Sequence, residues 1–505
     1  MLSSITWIII AFVLYAAVMV AIGAFFYGKS DDLTDYFLGG RKLNPWVAAM
    51  SAQASDMSGW LLMGLPGAVY ALGTGQVWIA VGLAIGTALN WIFVAKRLRR
   101  YTITAKNSIT IPEYFENRFR DTSKIIRVAS AIFIIIFFAV YAASGFVACG
   151  TLFSQVFGLD YTLSLTIGVF VILVYTFLGG FWAVCWTDLI QGTLMFVAII
   201  LVPILVLASM GGSSAVIGHV PAEFMNPLQD GSGNTITFIS IVSQLAWGLG
   251  YFGMPHILTR FMAIKSERAV KQSATIAIVW VIMTLAFAVI VGTVGLGYLP
   301  GLENPETVFI DMIQGIFLGE NAFIPFPLLG GIFLCAILAA IMSTADSQLL
   351  VTASSITSDI YKSAVNKKAG NRHLVWFSRG AVLAVSVVAY IIATDRSSSI
   401  MQLVSNAWSG FGSAFGALVL LSLYWKRVNR AGAAAGIISG GLTVIIWDYI
   451  PLGAQTLAAS TGLYSLAPGF ALSLIFTVVI SLLTKEPPKE VQEEFDRAMN
   501  STAFE

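Results

Sequence analysis

The sequence has 505 residues, of which 57% are hydrophobic and only 11% carry a charge, and its mean hydropathy is +0.84. These values exclude an ordinary soluble globular domain and indicate a chain whose main solvent is lipid. The net charge of +2 says little about partners, because the distribution of charge matters more than its sum in a membrane protein.

Apolar stretches of about 20 residues, the length that a helix needs to cross a bilayer, recur along nearly the whole chain. The first stretch has no positively charged segment before it and no evident cleavage motif, so we expect it to be retained rather than removed as a signal peptide. The pattern predicts an all-α membrane protein with about thirteen transmembrane helices. The predicted spans are 5–26, 45–72, 77–95, 129–156, 161–178, 189–210, 237–256, 274–298, 327–356, 380–393, 401–424, 431–447 and 467–483.

Basic residues are distributed unevenly between the connecting segments. If the N-terminus lies outside, every one of the 28 Lys and Arg residues except Arg396 falls on the inner side of the membrane. This asymmetry follows the positive-inside rule and predicts an external N-terminus and a cytoplasmic C-terminus. The basic runs then serve topology and imply no nucleic-acid partner. In the long inner loop a short helix is predicted to start near Thr110, and the charged tail from Lys485 is expected to be a solvated extension.

The second predicted span contains a run of small and polar residues that a lipid-facing helix would not carry. It includes Asp56, and an ionisable group at mid-membrane is a functional candidate because it is costly without a partner. A carboxyl group binds either a proton or a metal cation, so Asp56 alone is compatible with proton or with sodium coupling. The run is Ala54-Ser55-Asp56-Met57-Ser58-Gly59-Trp60.

The seventh predicted span is also interrupted, because three glycines and a proline weaken its backbone hydrogen bonding. The interruption is Trp247-Gly248-Leu249-Gly250-Tyr251-Phe252-Gly253-Met254-Pro255. Two spans that are five apart cross the membrane in opposite directions. Paired interruptions in inverted halves indicate the central site of a transporter, although each segment alone is compatible with a kinked packing helix.

The ninth predicted span places Ala340, Ser343 and Thr344 at i, i+3 and i+4, on one face of a helix. Two hydroxyl oxygens with nearby carbonyl groups suit a hard cation, although such hydroxyls also bond to their own helix. Protons gain nothing from neutral oxygens, so this face favours sodium over proton coupling. Asp346 lies three residues beyond Ser343, where a functional and a structural role are both open.

These residues belong to motifs that together extend over the chain, which resembles the sodium/solute symporter family and, within it, the bacterial proline carriers. The motifs are Leu38-Gly39-Gly40-Arg41, the run from Ala54 to Gly64, Tyr175-Thr176 with Gly179-Gly180-Phe181, Trp247 to Gly253, and Ala336 to Thr344. The resemblance implies a LeuT-type fold, in which five helices are followed by an inverted five. The domains expected from it are a first helix and cytoplasmic loop (1–44), two repeats (45–210 and 236–424), two C-terminal helices (425–484) and a cytoplasmic tail (485–505).

The resemblance also implies the roles of individual residues. Sodium would be bound by the carbonyl groups of Ala54, Met57 and Ala340 and by the hydroxyls of Ser343 and Thr344, with Asp56 in support. The substrate would contact Ser58, Gly59, Trp60, Tyr141, Trp247 and Tyr251. Coupling or gating would depend on Arg41, Asp188, Pro255 and His256. Of these, Asp188 is expected near the inner surface, paired with a basic loop residue, and His256 at the inner end of its span.

The function expected is sodium-coupled import of L-proline by alternating access across a bacterial plasma membrane, with Na⁺ as coupling ion and no organic cofactor. Met254 and Asp346 depart from the pattern of proline carriers, so another small amino acid or organic solute remains an alternative. A membrane enzyme would need a nucleophile and base or a metal-binding motif, and none is evident in the sequence. A sensor would need a soluble output domain, and a channel would show uncoupled flux.

Overall fold

A computed structural model describes residues 3–26, 37–178, 180–319, 321–451, 453 and 455–500. Residues 27–36 of the predicted first loop, Gly179 of the glycine motif and residues 501–505 of the tail lie outside the described residues. The described part contains helices and three isolated β-bridges but no strand.

The helices follow one another with short connections. They are α1 (Ser4–Phe26), α2 (Pro45–Gly59), α3 (Leu65–Leu72), α4 (Val77–Leu89), α5 (Lys96–Thr104), α6 (Ile111–Phe119), α7 (Ile125–Phe157), α8 (Tyr161–Leu178), α9 (Phe181–Ser209), α10 (Ser213–Ile217), α11 (Phe238–Leu245), α12 (Pro255–Ala263), α13 (Glu267–Tyr298), α14 (Val308–Phe317), α15 (Pro327–Ser354), α16 (Asn371–Ala393), α17 (Ile400–Phe411), α18 (Ala417–Tyr424), α19 (Arg430–Tyr449), α20 (Leu457–Thr461), α21 (Leu466–Leu483) and α22 (Lys489–Asn500). Wider π-helical turns join α2 to α3 (Trp60–Gly64), α4 to α5 (Asn90–Ala95) and α17 to α18 (Gly412–Gly416), and one follows α15 (Ser355–Val365). Short 3₁₀ turns are Gly39–Arg41, Thr74–Gln76, Ala222–Met225, Ala246–Gly253 and Pro305–Thr307.

Ten helical segments of the described chain are long and apolar enough to cross a membrane, and two shorter apolar helices cover Tyr161–Val174 and Phe238–Gly253. The predicted second span corresponds to α2 and α3, where the polar run lowers the hydropathy. The chain is therefore a multi-pass helical protein, and the number of thirteen spans stays a prediction.

Several helices begin earlier than the hydropathy pattern predicted. We expected spans to start at Leu189 and Ala274, whereas α9 starts at Phe181 and α13 at Glu267. In α13 the charged first turn follows Ser266, whose side chain caps the helix by accepting a hydrogen bond from the amide of Ala269 (3.2 Å). Hydropathy reports the part of a helix that crosses hydrocarbon and misses its polar ends.

The site is positioned by a few tightly packed helices. The central helix α15 is buried almost throughout, and α2 packs against it and against α9 and α13. The 3₁₀ turn Ala246–Gly253 packs against α4. At the periphery, α1, α8 and α16 expose large apolar side chains such as Val13, Phe170 and Ile391, as expected for a surface that faces lipid.

Basic segments gather at one end of the bundle. Arg100 binds Glu267 at the start of α13 (Nε to Oε1 2.6 Å) and donates to the carbonyl of Met499 in the tail (2.8 Å). At the far end of α7, Arg396 pairs instead with Asp160 (2.7 Å).

The C-terminal tail differs from the solvated extension that we expected. Its residues 489–500 form α22, which buries Val491, Phe495 and Ala498 against the basic end of the bundle. An ion pair between Arg120 and Glu494 adds to this contact. The apolar residues recur at helical spacing within the charged sequence, and this amphipathic pattern is the physical reason for docking.

Candidate functional site

The first helix break lies within the polar run of the second span. Asn44 caps α2 by accepting from the amide of Val47 (3.0 Å), and the helix is regular until Ser58, whose φ of 52° and ψ of −171° are not helical. The break leaves the carbonyl of Asp56 free to accept a hydrogen bond from the hydroxyl of Tyr141 on α7 (3.0 Å). The predicted interruption of this span is thus present.

Four of the five groups predicted to bind sodium lie together beside this break. Ser343 and Thr344 on α15 direct their hydroxyls at the carbonyl oxygen of Ala54, at 2.9 and 3.4 Å, and Ser343 also donates to the carbonyl of Ala340 (3.2 Å). The carbonyl of Met57 accepts from the amide of Trp60. All these groups are buried oxygens of two elements, and this kind of ligand set suits a hard cation.

Asp56 lies two residues beyond Ala54 and is 3% exposed. Its Oδ2 accepts a hydrogen bond from the hydroxyl of Tyr251 (2.6 Å). Within the described part of the chain, Oδ1 has no hydrogen-bond partner and no basic side chain pairs with this carboxylate. A buried carboxylate without a protein cation is suited to supporting a cation that arrives from solution.

The second break is the 3₁₀ turn Ala246–Gly253, which ends in an extended residue, Met254, before Pro255 starts α12. A Cβ atom on Gly250 would overlap the indole of Trp408, and one on Gly253 would overlap the carbonyl of Phe411. These glycines let the turn approach α17 closely. The predicted interruption of the seventh span is therefore present as well.

A small cavity lies between the two breaks. It is lined by four of the six residues predicted to contact substrate, namely Trp60, Tyr141, Trp247 and Tyr251. The other two do not line it: Ser58 accepts from the amide of Trp60 (3.1 Å), and Gly59 faces α7 and α15. The full lining is Asp56, Met57, Trp60, Leu83, Tyr141, Trp247, Tyr251, Val404 and Trp408.

Aromatic rings close one side of this cavity. Trp247 stacks on Trp60 (centroids 5.6 Å apart) and on Tyr464 (5.3 Å), and Trp408 meets Tyr251 edge to face (5.1 Å). The indole of Trp408 also donates to the carbonyl of Trp247 (2.7 Å). The sequence predictions do not include Trp408 and Tyr464. Ser409, Gly410, Gly412 and Ser413 follow Trp408, and this run of small and polar residues is a signal that could have indicated it.

We expected Asp188 near the inner surface of the membrane and paired with a basic loop residue. It is fully buried in α9, where its Oδ2 accepts from Ser51 (2.6 Å) and pairs with Arg260 (3.4 Å). Arg260 in turn donates to Ser347 of α15 (2.5 Å). We had placed Arg260 in an inner loop, but α12 continues to Ala263 and carries it into the core, where Asp188 compensates its charge.

His256 and Pro255 begin α12 directly after the second break rather than closing the span at its inner end. The His256 ring is fully buried against Phe138 (5.6 Å) and Tyr141 (6.5 Å). Its position beside Tyr141 places it behind the cavity wall.

Arg41 links three segments at the basic end of the molecule. Its guanidinium donates to the carbonyls of Met262 (2.8 Å) and Ser108 (2.6 Å) and to the hydroxyl of Thr102 (3.2 Å). Burial lowers the pKa of Arg41 to about 9, so it remains a cation at neutral pH. It joins the segment before α2 to the loop after α5 and to α12.

Asp346 and Met254 are both fully buried. Asp346 accepts a hydrogen bond from Ser347 (3.3 Å), and it therefore belongs to the core rather than to a solvated helix end. Met254 occupies the extended position between the second break and α12.

Glu306 was not predicted as a functional residue. Its carboxylate accepts from the amides of Ile400 (3.2 Å) and Met401 (3.0 Å) at the start of α17. The sulfur atom of Met401 in turn accepts a hydrogen bond from the indole N–H of Trp60 (2.8 Å). An acidic loop residue therefore caps the helix that covers the cavity.

Residues 36–440 match the family model described as the sodium:solute symporter family. The chain is 46% identical over 482 residues to the high-affinity proline transporter PutP of Bacillus subtilis (strain 168), which covers 95% of this chain and 98% of that protein. It is 44% identical over 504 residues to the sodium/proline symporter of Escherichia coli (strain K12), which covers 98% of this chain and 96% of that protein.

A solved structure of a Na⁺-coupled sialic acid symporter, in a substrate-bound outward-open state, has a TM-score of 0.78 at 19% identity and covers 95% of this chain and 99% of that chain. This likeness confirms the predicted LeuT-type fold. The relatives are transporters, which agrees with the prediction that the protein is not an enzyme. The chain belongs to the sodium:solute symporter family.

Proposed function

We propose that this protein is a sodium-coupled secondary active symporter that imports L-proline by alternating access. The observation that carries the proposal is its 44–46% identity, over nearly the full chain, to carriers named for proline. The cavity where the two helix breaks meet supports it, because unwound backbone offers unpaired amides and carbonyls to the charges of a small zwitterion.

Sodium binds, in this proposal, to the carbonyls of Ala54, Met57 and Ala340 and to the hydroxyls of Ser343 and Thr344. The convergence of both hydroxyls on the Ala54 carbonyl supports this assignment. Because one side of the set belongs to α2 and the other to α15, a bound cation would hold these two helices together. Asp56 supports the ion through its charge.

The substrate occupies the cavity beside Trp60, Tyr141, Trp247 and Tyr251. Their aromatic faces can pack an aliphatic ring, and their polar atoms already hold the two breaks in place. Ser58 and Gly59 form the first break beside this cavity and act here through their backbone. Trp408 is added to the predicted contacts because it lines the same cavity.

Coupling depends on buried polar groups that join several helices. Asp188 and Arg260 connect α9, α12, α2 and α15 through Ser51 and Ser347. Arg41 connects the inner loop to α12, and Pro255 with His256 starts that helix. If α12 moves during transport, either these contacts break or the helices that they join move together with α12.

The protein lies in the plasma membrane of a bacterium, with its N-terminus outside and its C-terminus in the cytoplasm. The gathering of basic segments at one end of the bundle supports this orientation. Residues 45–210 and 236–424 form the two inverted repeats, residues 1–44 and 425–484 flank them, and residues 485–505 form the cytoplasmic tail. The partners are the solute, sodium and lipid.

A second candidate is a symporter of the same fold for another small amino acid or organic solute. Met254 at the second break and Asp346 in the core favour it, because both depart from the pattern expected of proline carriers.

Uptake of labelled proline into proteoliposomes, with and without an inward sodium gradient, tests the proposal. We expect accumulation only with the gradient and no accumulation with an equal potassium gradient. Competition by unlabelled small amino acids, sugars and carboxylates tests the substrate. Uptake that ignores sodium would contradict the coupling, and sodium-driven uptake of a competitor without any proline uptake would favour the second candidate.

A further inference from the structure

One face of α4 packs directly against the second helix break, Ala246–Gly253. Gly82, Gly86 and Asn90 follow one another at i, i+4 and i+8, so they share this face. A Cβ atom on Gly82 would lie 2.6 Å from the carbonyl oxygen of Leu245, and one on Gly86 would overlap the carbonyl of Gly248. The two backbones are therefore in direct contact, and Asn90 continues this face with a polar side chain.

The side chain of Asn90 donates from Nδ2 to the carbonyl oxygen of Tyr251 at 2.9 Å. In a continuous α-helix the amide of residue 255 would donate to this carbonyl, but residue 255 is a proline and has no N–H. Asn90 thus supplies the hydrogen bond that Pro255 removes. Both partners are 1% exposed, so water cannot easily replace the amide.

Tyr251 connects this backbone contact to the candidate site. Its hydroxyl donates to Asp56 Oδ2 at 2.6 Å, its ring lines the cavity, and Asp56 lies two residues from the Ala54 carbonyl. The chain also widens into a π-helical stretch that starts at Asn90, an irregularity that is frequent at functional sites. A shift of the Tyr251 backbone would therefore displace both the cavity wall and the hydrogen bond to Asp56.

We propose that Asn90 is a positioning residue for the sodium and substrate sites, because its amide holds the Tyr251 carbonyl in the break before Pro255. The inference rests on the proposed function, since it concerns the same site. It assigns to the third predicted span a role in binding that neither its hydropathy nor its motifs indicated.

The test compares Asn90→Leu, which removes the amide donors at similar size, with Asn90→Gln, which keeps a donor on a longer side chain. Asn429→Leu is the matched control. Asn429 is a buried asparagine that also donates to backbone carbonyls (Ser481 3.3 Å, Lys485 2.7 Å), but it lies between α18 and α19 and bonds to the end of α21. Sodium-driven proline uptake into proteoliposomes gives the half-saturating concentrations and the maximal rate, and thermal unfolding in detergent reports stability.

We expect Asn90→Leu to raise the half-saturating concentrations of sodium and proline at least tenfold while the maximal rate changes less than threefold. Asn90→Gln should recover most of this loss, and Asn429→Leu should keep native values even where its unfolding temperature falls. If Asn90→Leu does not fold, Asn90→Ala removes the same donors without added bulk and replaces it.

Native half-saturation in a folded Asn90→Leu protein would overturn the proposal, as would an equal change in Asn429→Leu. Failure of both the leucine and the alanine variant to fold, with Asn429→Leu folded, would assign Asn90 to the fold instead. Absence of sodium-driven proline uptake by the native protein would contradict the proposed function itself, and this first measurement separates the two failures.

Discussion

Ser343 and Thr344 illustrate what single residues contribute to this site. Both hydroxyls point at the carbonyl oxygen of Ala54 in the broken helix α2, at 2.9 and 3.4 Å. A hydroxyl that contacts a carbonyl across two helices is a ready oxygen ligand, because rotation of its hydrogen turns a lone pair towards a cation.

We expect Ser343→Ala and Thr344→Ala each to raise the sodium concentration that gives half-maximal proline uptake. A polar contact to a charged group is worth about 1.5–3 kcal/mol, which corresponds to roughly a ten- to hundredfold change. Ser386→Ala is the control, because the Ser386 hydroxyl is buried but bonds only to Val382 of its own helix (2.8 Å). Titrations of uptake with sodium measure the effect. If both site variants reach half-maximal uptake at the native sodium concentration, neither residue binds sodium.

Asp56 has a different role from the ligands, because its charge has no cationic partner among the described residues. We expect sodium chloride, but not potassium chloride, to raise the unfolding temperature of the native protein, since a ligand at 100 times its Kd stabilises by about 2.7 kcal/mol. Asp56→Asn should fold yet lose this sodium-specific shift. A sodium shift of native size in Asp56→Asn would show that the carboxylate does not support the ion.

At the scale of elements, the sequence predicted which helices are broken better than where they break. The glycines and Pro255 predict the second break, because each of these residues destabilises a helix by itself. The first break falls on Ser58, which has no intrinsic preference for a φ of 52°, so its position depends on packing. Trp408 and Val404 reach the cavity from α17 through tertiary contacts, so their place in its lining follows from the packing of this helix against the two breaks.

The close approach of the second break to α17 gives a prediction for this element. Gly250→Ala should lower proline uptake strongly and destabilise the protein by about 1–3 kcal/mol, because the added Cβ overlaps the Trp408 indole. Gly380→Ala in α16 is the matched control, since a Cβ there meets nothing within 4 Å and alanine favours a helix. Uptake and unfolding temperature are measured together, and equal behaviour of the two variants would contradict this packing.

At the scale of the whole molecule, charge and fold are consistent with each other. The segments predicted to lie inside carry nearly all the Lys and Arg residues, and the fold brings several of these segments together beneath α22, where Arg100 and Arg120 contact the tail. The sequence predicts the asymmetry but not this docking, because the high charge of the tail indicates solvent exposure, whereas Val491, Phe495 and Ala498 recur at helical spacing within it.

The orientation of the chain is testable with single cysteines, because Cys149, Cys185 and Cys335 are all buried and give a low background. A membrane-impermeant maleimide added to intact cells should label a cysteine in place of Glu303, in the loop before α14, but not one in place of Glu490 on α22. Permeabilisation should expose the second position. Labelling of residue 490 in intact cells would contradict the proposed topology and the assignment of the basic end of the bundle to the cytoplasm.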